Sequence, residues 1–142
     1  MDVSVAGERS AAAVLVGLAG LHVTWACGGS WPAEDRAALA DLMAGRAGGS
    51  VPPPAACLVV AMLLGSSSAL VAGWPRRDAC LRRIGARVVA GVLVVRGSCG
   101  LMGRSDLLSP GSISPGFRRL DRRYYSPLCL ALAAAAVSSA RR

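Results

Sequence analysis

Apolar residues gather into four long runs, Ala11–Cys27, Ala55–Trp74, Ile84–Gly103 and Ser126–Ala140, with polar residues filling the spaces between them. A bilayer core about 30 Å thick takes roughly 17–25 mostly apolar residues per helix. The middle two runs meet that length, and the outer two sit at its lower edge. The pattern predicts an all-α fold: a transmembrane four-helix bundle that uses residues 1–142 as one domain. A soluble domain of this size has no need of four such runs.

The segments between the runs carry their own signals. Gly28-Gly29 ends the first span, and Trp31-Pro32 leads into a short helix over Ala33–Ala44, with Glu34 and Asp35 at its positive N-terminal end. Leu39, Leu42 and Met43 share one face of that helix, which predicts an interfacial helix in the first loop, lying on the membrane surface. Gly45–Pro54 is a connector, and Pro52–Pro54 pins the chain before the second span. Trp74-Pro75 closes the second span, and Arg76–Arg83 reads as a short basic hairpin. Ser105–Gly116 reads as a polar loop, and Ser126-Pro127 as the N-cap and first residue of the fourth span. Small residues at Ala13/Gly17 and Gly20/Thr24/Gly28, four apart, predict a close helix–helix seam on the first span.

Composition supports a membrane location. The chain is 54% hydrophobic but only 4% aromatic, so Ala, Leu, Val and Gly supply its apolar content. Net charge is +8, and Arg supplies all of the basic residues. These arginines sit between apolar runs and not on one polar face, which points to lipid phosphates and away from nucleic acid. The Arg-only, Ala- and Gly-rich usage fits a GC-rich bacterial genome. The first ten residues include Asp2, Glu8 and a single Arg9, a poor match to the positive start of a signal peptide, so the first span is expected to stay. Arginines outside the spans balance between the two sides. Arg87 tips them toward a multi-pass cell-membrane protein with both termini cytoplasmic.

Whatever the orientation, the up-and-down topology gathers His22, Trp25, Cys27, Cys57, Arg96, Cys99, Tyr124, Tyr125 and Cys129 toward one leaflet. Arg96 is the sharpest item, roughly 10 Å inside the third span at 1.5 Å per residue. An arginine at that depth is costly, and its candidate partners are Asp106, Asp121, the carbonyls at Gly28-Gly29 or the Tyr125 hydroxyl. Arg87 points elsewhere and is expected to snorkel to the headgroups. His22 is the single histidine. It is open to an interhelical hydrogen bond or to a ligand role, but one His without carboxylate or His partners makes no metal site. Cys27, Cys57, Cys99 and Cys129 are candidate redox thiols, although no Cys-x-x-Cys motif is present and Cys also serves as a small apolar residue.

Three segments look familiar together: His22-Val23-Thr24-Trp25-Ala26-Cys27-Gly28-Gly29, Arg96-Gly97, and Leu120-Asp121-Arg122-Arg123-Tyr124-Tyr125-Ser126-Pro127-Leu128-Cys129. They resemble a family of small four-span bacterial membrane proteins, common in actinobacteria and known only as a domain of unknown function. The chain departs from that pattern at Leu101–Asp106, where an acidic, aromatic-rich stretch is expected, and its first loop is long. The resemblance implies four spans and a bacterial origin, and it carries no activity.

No catalytic residues stand out. The leading expectation is a non-enzymatic membrane protein that binds a lipid or small ligand through His22, Trp25, Arg96 and Tyr125, without a cofactor, or that serves as a subunit beside a membrane-protein partner or another copy of itself. The alternative is a membrane-embedded redox protein using quinone or haem, with His22 as ligand and the cysteines as carriers. A channel fits poorly, because the spans offer a thin polar lining.

Overall fold

The computed structural model describes residues 3–45, 50–104, 107 and 114–141. Among them every regular element is helical: α1 (Val3–Ala26), α2 (Arg36–Ala44), α3 (Pro54–Val71), α4 (Ala79–Leu101), α5 (Pro115–Leu120), a π turn (Asp121–Tyr125) and α6 (Ser126–Ala140). Three stretches, Val5–Ala26, Pro54–Val71 and Ala79–Leu101, are long and apolar enough to cross a membrane.

The helix boundaries show where local chemistry overrides an apolar window. α1 starts before Ala11 because Val3–Ser10 contains no proline and a single glycine, Gly7, so the helix extends past its apolar stretch. It ends where Gly28 takes φ +96° and the Gly29 N–H donates to Thr24 O at 2.9 Å. Gly73, at φ +89°, stops α3 in the same way, which leaves Trp74 outside the helix. The basic hairpin expected at Arg76–Arg83 is half helix: the Asp78 side chain accepts from Leu81 N–H at 2.9 Å and caps α4, so Cys80, Arg82 and Arg83 ride its first turns. α2 is likewise shorter than Ala33–Ala44, because Asp35 is its N-cap and accepts from Ala38 N–H at 2.7 Å.

The largest difference concerns the fourth apolar run. Ser126 is not an N-cap: it has helical dihedrals, φ −67° and ψ −47°, within a helical run that begins at Pro115. The cap is another Ser-Pro pair, in which Ser114 Oγ accepts from Phe117 N–H at 3.1 Å. Pro127 lacks an N–H and crowds the turn before it, and the π turn at Asp121–Tyr125 widens the helix there. Most of the polar loop expected at Ser105–Gly116 lies outside the described residues, but its last two residues begin α5.

α1 packs extensively along α3, and α4 along α6. Both pairs are antiparallel. Ser68 Oγ donates to Ala12 O (2.8 Å) while Trp25 meets Cys57 at the opposite end, and Arg82 donates to Ser139 O (3.2 Å) while Arg96 meets Asp121. The two pairs share a core of Ala11, Leu15, Val71, Ala90, Leu132 and Ala136. The buried residues of α4 are Ala86, Ala90, Gly97 and Gly100, and a Cβ on Gly97 would lie 2.8 Å from Leu130 Cγ. Small side chains here let two backbones approach closely.

The seam expected on α1 lies elsewhere. Gly17 and Gly20 have nothing within 4 Å of an added Cβ, and Ala13, Gly17, Gly20 and Thr24 face outward. Ala11, Ala12 and Leu15 make the contact instead, because the buried stripe is set by the α3 partner and not by residue size. The bundle exterior is apolar, with Val16, Met62, Leu63, Val88 and Val92 each 58–64% exposed. Such a surface is out of place in water.

Candidate functional site

Two neighbouring arrangements occupy the end of the bundle where α1 and α4 finish. The first is an ion pair. Arg96 Nη2 donates to Asp121 Oδ1 at 2.8 Å, and Nη1 to Oδ2 at 3.3 Å. Asp121 is fully buried, whereas the Arg96 side chain keeps 30% of its surface. Ser126, also fully buried, donates its hydroxyl to Asp121 Oδ1 at 3.1 Å. Of the partners considered for Arg96, Asp121 is the one it pairs with, and Asp106 lies outside the described residues. The planar guanidinium fork matches a carboxylate with two parallel bonds, which is the geometry that makes a deep arginine tolerable.

This cluster leaves no room for a side chain at Gly100. A Cβ there would run into Ser126 Oγ and would lie 2.8 Å from Asp121 Oδ2 and 2.9 Å from Arg96 Nη1. Arg87, nine residues before Arg96, is exposed, in line with a side chain that reaches outward.

The second arrangement is a cavity of about 340 Å³ lined by Leu18, Leu21, His22, Trp25, Pro32, Leu39, Leu42, Met43 and Tyr125. α2 roofs it. The Leu39 face turns inward and joins Trp25 and Cys57 in a buried cluster, so it covers the protein's own helices where a membrane-surface contact was expected. The two choices bury the same apolar stripe, and sequence cannot tell them apart. α2 is tied down by Ser114 N–H donating to Gly45 O (2.7 Å) and by Tyr125 O–H donating to Leu42 O (3.4 Å). The His22 ring lies 4.6 Å from that of Trp25, and Tyr125 lies 6.0 Å from Phe117.

The structure therefore brings His22, Trp25 and Tyr125 to one cavity and places Arg96 beside it, joined to an aspartate one helical turn from Tyr125. The five cysteines are free thiols: Cys57 is buried, Cys99 and Cys129 are partly covered, and Cys27 and Cys80 are exposed. Alkylation of the denatured, unreduced protein is expected to modify all five, and protection of two that reductant reverses would reveal a disulfide. Among the described residues no group of three or more His, Cys, Asp or Glu is placed to hold a metal ion. Arg118, Arg119, Arg122 and Arg123 project outward from the helical run before α6, where Arg122 Nε donates to Leu101 O at 3.1 Å.

Sequence reasoning missed Gly100, Ser126 and the α2 wall of Leu39, Leu42 and Met43 as parts of the site. Gly100 had one signal available, since it lies one turn after Arg96 and any partner for that arginine must pass across it. No curated protein and no solved structure matches the chain. A family model matches residues 15–136, which reach from the middle of α1 to the last turns of α6. The chain belongs to that family, described as proteins of unknown function (DUF3995).

Proposed function

We propose that the chain is a four-span, non-enzymatic protein of a bacterial cell membrane that binds an apolar small molecule in the cavity beneath α2. The cavity carries this reading: its volume of about 340 Å³ lies within the usual range for ligand sites, and its wall is apolar with a few polar groups. The Arg96–Asp121–Ser126 cluster holds the α6 end against α4 and so positions Tyr125 at the cavity wall. In this reading α6 crosses the bilayer as part of the longer helical run from Pro115, and the arginines before it meet lipid phosphates.

The test uses Trp25 as a reporter. Trp31 and Trp74 are 67% and 65% exposed, so Trp31→Phe and Trp74→Phe leave one buried indole at the cavity. In nanodiscs, 2-bromonaphthalene is expected to quench Trp25 saturably, and Leu42→Phe, which fills the cavity, is expected to abolish saturation. Quenching that rises linearly in both proteins would refute the site. Orientation is tested with reporter fusions after Arg142 and within the loop before Ser114. Both termini are expected inside, and a cytoplasmic signal from the loop would reverse the topology.

The redox reading draws on one observation: His22 Nδ1 is tied to Leu18 O at 2.8 Å, which leaves Nε2 able to act as a ligand. A Soret band in the purified protein, lost in His22→Ala, would put this reading first.

A further inference from the structure

Resting on the cavity reading above, we infer that the molecule it takes carries a hydroxyl: an apolar alcohol or phenol dissolved in the bilayer, which donates to His22 Nε2. The argument is an inventory of donors. Three residues with polar side-chain atoms line the cavity, and each already spends its donor on a backbone carbonyl. His22 Nδ1 pairs with Leu18 O at 2.8 Å, and because a carbonyl only accepts, the proton sits on Nδ1. Trp25 Nε1–H donates to Trp31 O at 2.7 Å, and Tyr125 O–H to Leu42 O at 3.4 Å.

The remaining described lining residues offer no donor in exchange. Leu18, Leu21, Leu39, Leu42, Met43 and Pro32 have apolar side chains. The leucines and Met43 lie within α1 or α2, where the Leu39 N–H is bonded to Asp35 O at 3.0 Å, and Pro32 has no N–H. What these lining residues leave unused is acceptors: the lone pair of His22 Nε2 and those of the Tyr125 oxygen. A ligand carbonyl, carboxylate or phosphate would be buried there without a donor, whereas a ligand hydroxyl finds a strong acceptor. The site therefore discriminates by donor, and it favours the hydroxylated member of any pair of otherwise equal apolar molecules.

The experiment compares three probes on the Trp31→Phe/Trp74→Phe protein in nanodiscs: 2-bromonaphthalene, 6-bromo-2-naphthol and 2-bromo-6-methoxynaphthalene. Affinities are referred to the probe concentration in the bilayer. The naphthol is expected to bind about tenfold tighter than either of the others, the value of one added hydrogen bond to a buried acceptor. His22→Phe, which keeps a ring and removes the acceptor, is expected to erase that preference. Equal affinities for the three probes, or preference for the ether, overturns the hydroxyl inference and leaves the cavity reading intact. Absence of saturable quenching by all three overturns both. The comparison among probes stands on the His22 protein alone, so a poorly folded His22→Phe variant does not weaken it.

Discussion

Replacing Arg96 with Leu is expected to destabilise the protein in detergent by about 3–5 kcal/mol, the usual cost of removing one partner from a buried ion pair. The cause is the partner left behind. Asp121 is fully buried, and without the guanidinium its carboxylate keeps only part of its polar contacts, the Ser126 hydroxyl among them. Two companion variants separate this cause from simple loss of packing. Arg96→Lys is expected to recover only part of the stability, because an ammonium does not reproduce the two-bond fork. Adding Asp121→Asn to Arg96→Leu is expected to improve on Arg96→Leu alone, since it removes a buried charge that has lost its guanidinium partner. Arg87→Leu, at an exposed position, is expected to change stability by less than about 0.5 kcal/mol. Equal thermal midpoints for the wild type, Arg96→Leu and Arg87→Leu would refute a structural role for the pair.

The second large effect belongs to Gly100. Gly100→Ala is expected to cost about 3 kcal/mol, the upper part of the range for overpacking a tight core. The new methyl meets the side chains of Ser126, Asp121 and Arg96, and none of them can move aside without breaking the hydrogen bonds that join the three. Intrinsic helix propensity opposes this by about 1 kcal/mol in favour of Ala. Gly91→Ala is the matched control. It lies on the same helix with nothing within 4 Å of its added Cβ, so propensity alone acts there and a neutral or stabilising result is expected. Similar melting behaviour for the two variants would show that the close approach of α4 and α6 is softer than the structure indicates.

Sequence and structure agree where a single residue or a long run sets the outcome. The apolar runs mark the helices because partition into an apolar environment depends on composition summed over a window. Arg96 stands out because a charge inside such a run needs an explanation on its own terms. Agreement fails where two distant segments settle a question jointly. Asp121 lies 25 residues from Arg96 and outside every apolar window, so it ranks with Asp106 and Tyr125 until the helices are packed. The start of the last helix fails for a different reason. Ser114-Pro115 and Ser126-Pro127 are the same signature, and only the partner that each hydroxyl finds separates a cap from an interior residue: Ser114 Oγ accepts from the Phe117 N–H, whereas Ser126 donates to Asp121 Oδ1. The cavity was half legible: the up-and-down helix order brings His22, Trp25 and Tyr125 to one end of the bundle, but its roof depends on which way a nine-residue amphipathic helix rolls.

The π turn also sets the phase of everything that follows it. At about 100° per residue, positions five apart on an α-helix face well away from each other, so Asp121 and Ser126 would point to different sides. The wider turn brings them nearly one above the other, which is how a buried serine can reach a buried aspartate at 3.1 Å. It works as a clutch between two lengths of helix: before it the arginines face out, and after it Leu132, Ala136 and Ser139 face in. Losing one residue there would close the π turn into an ordinary α turn and keep Asp121 and Ser126 on one side, whereas losing one within α6 itself would rotate the rest of that helix by about 100°.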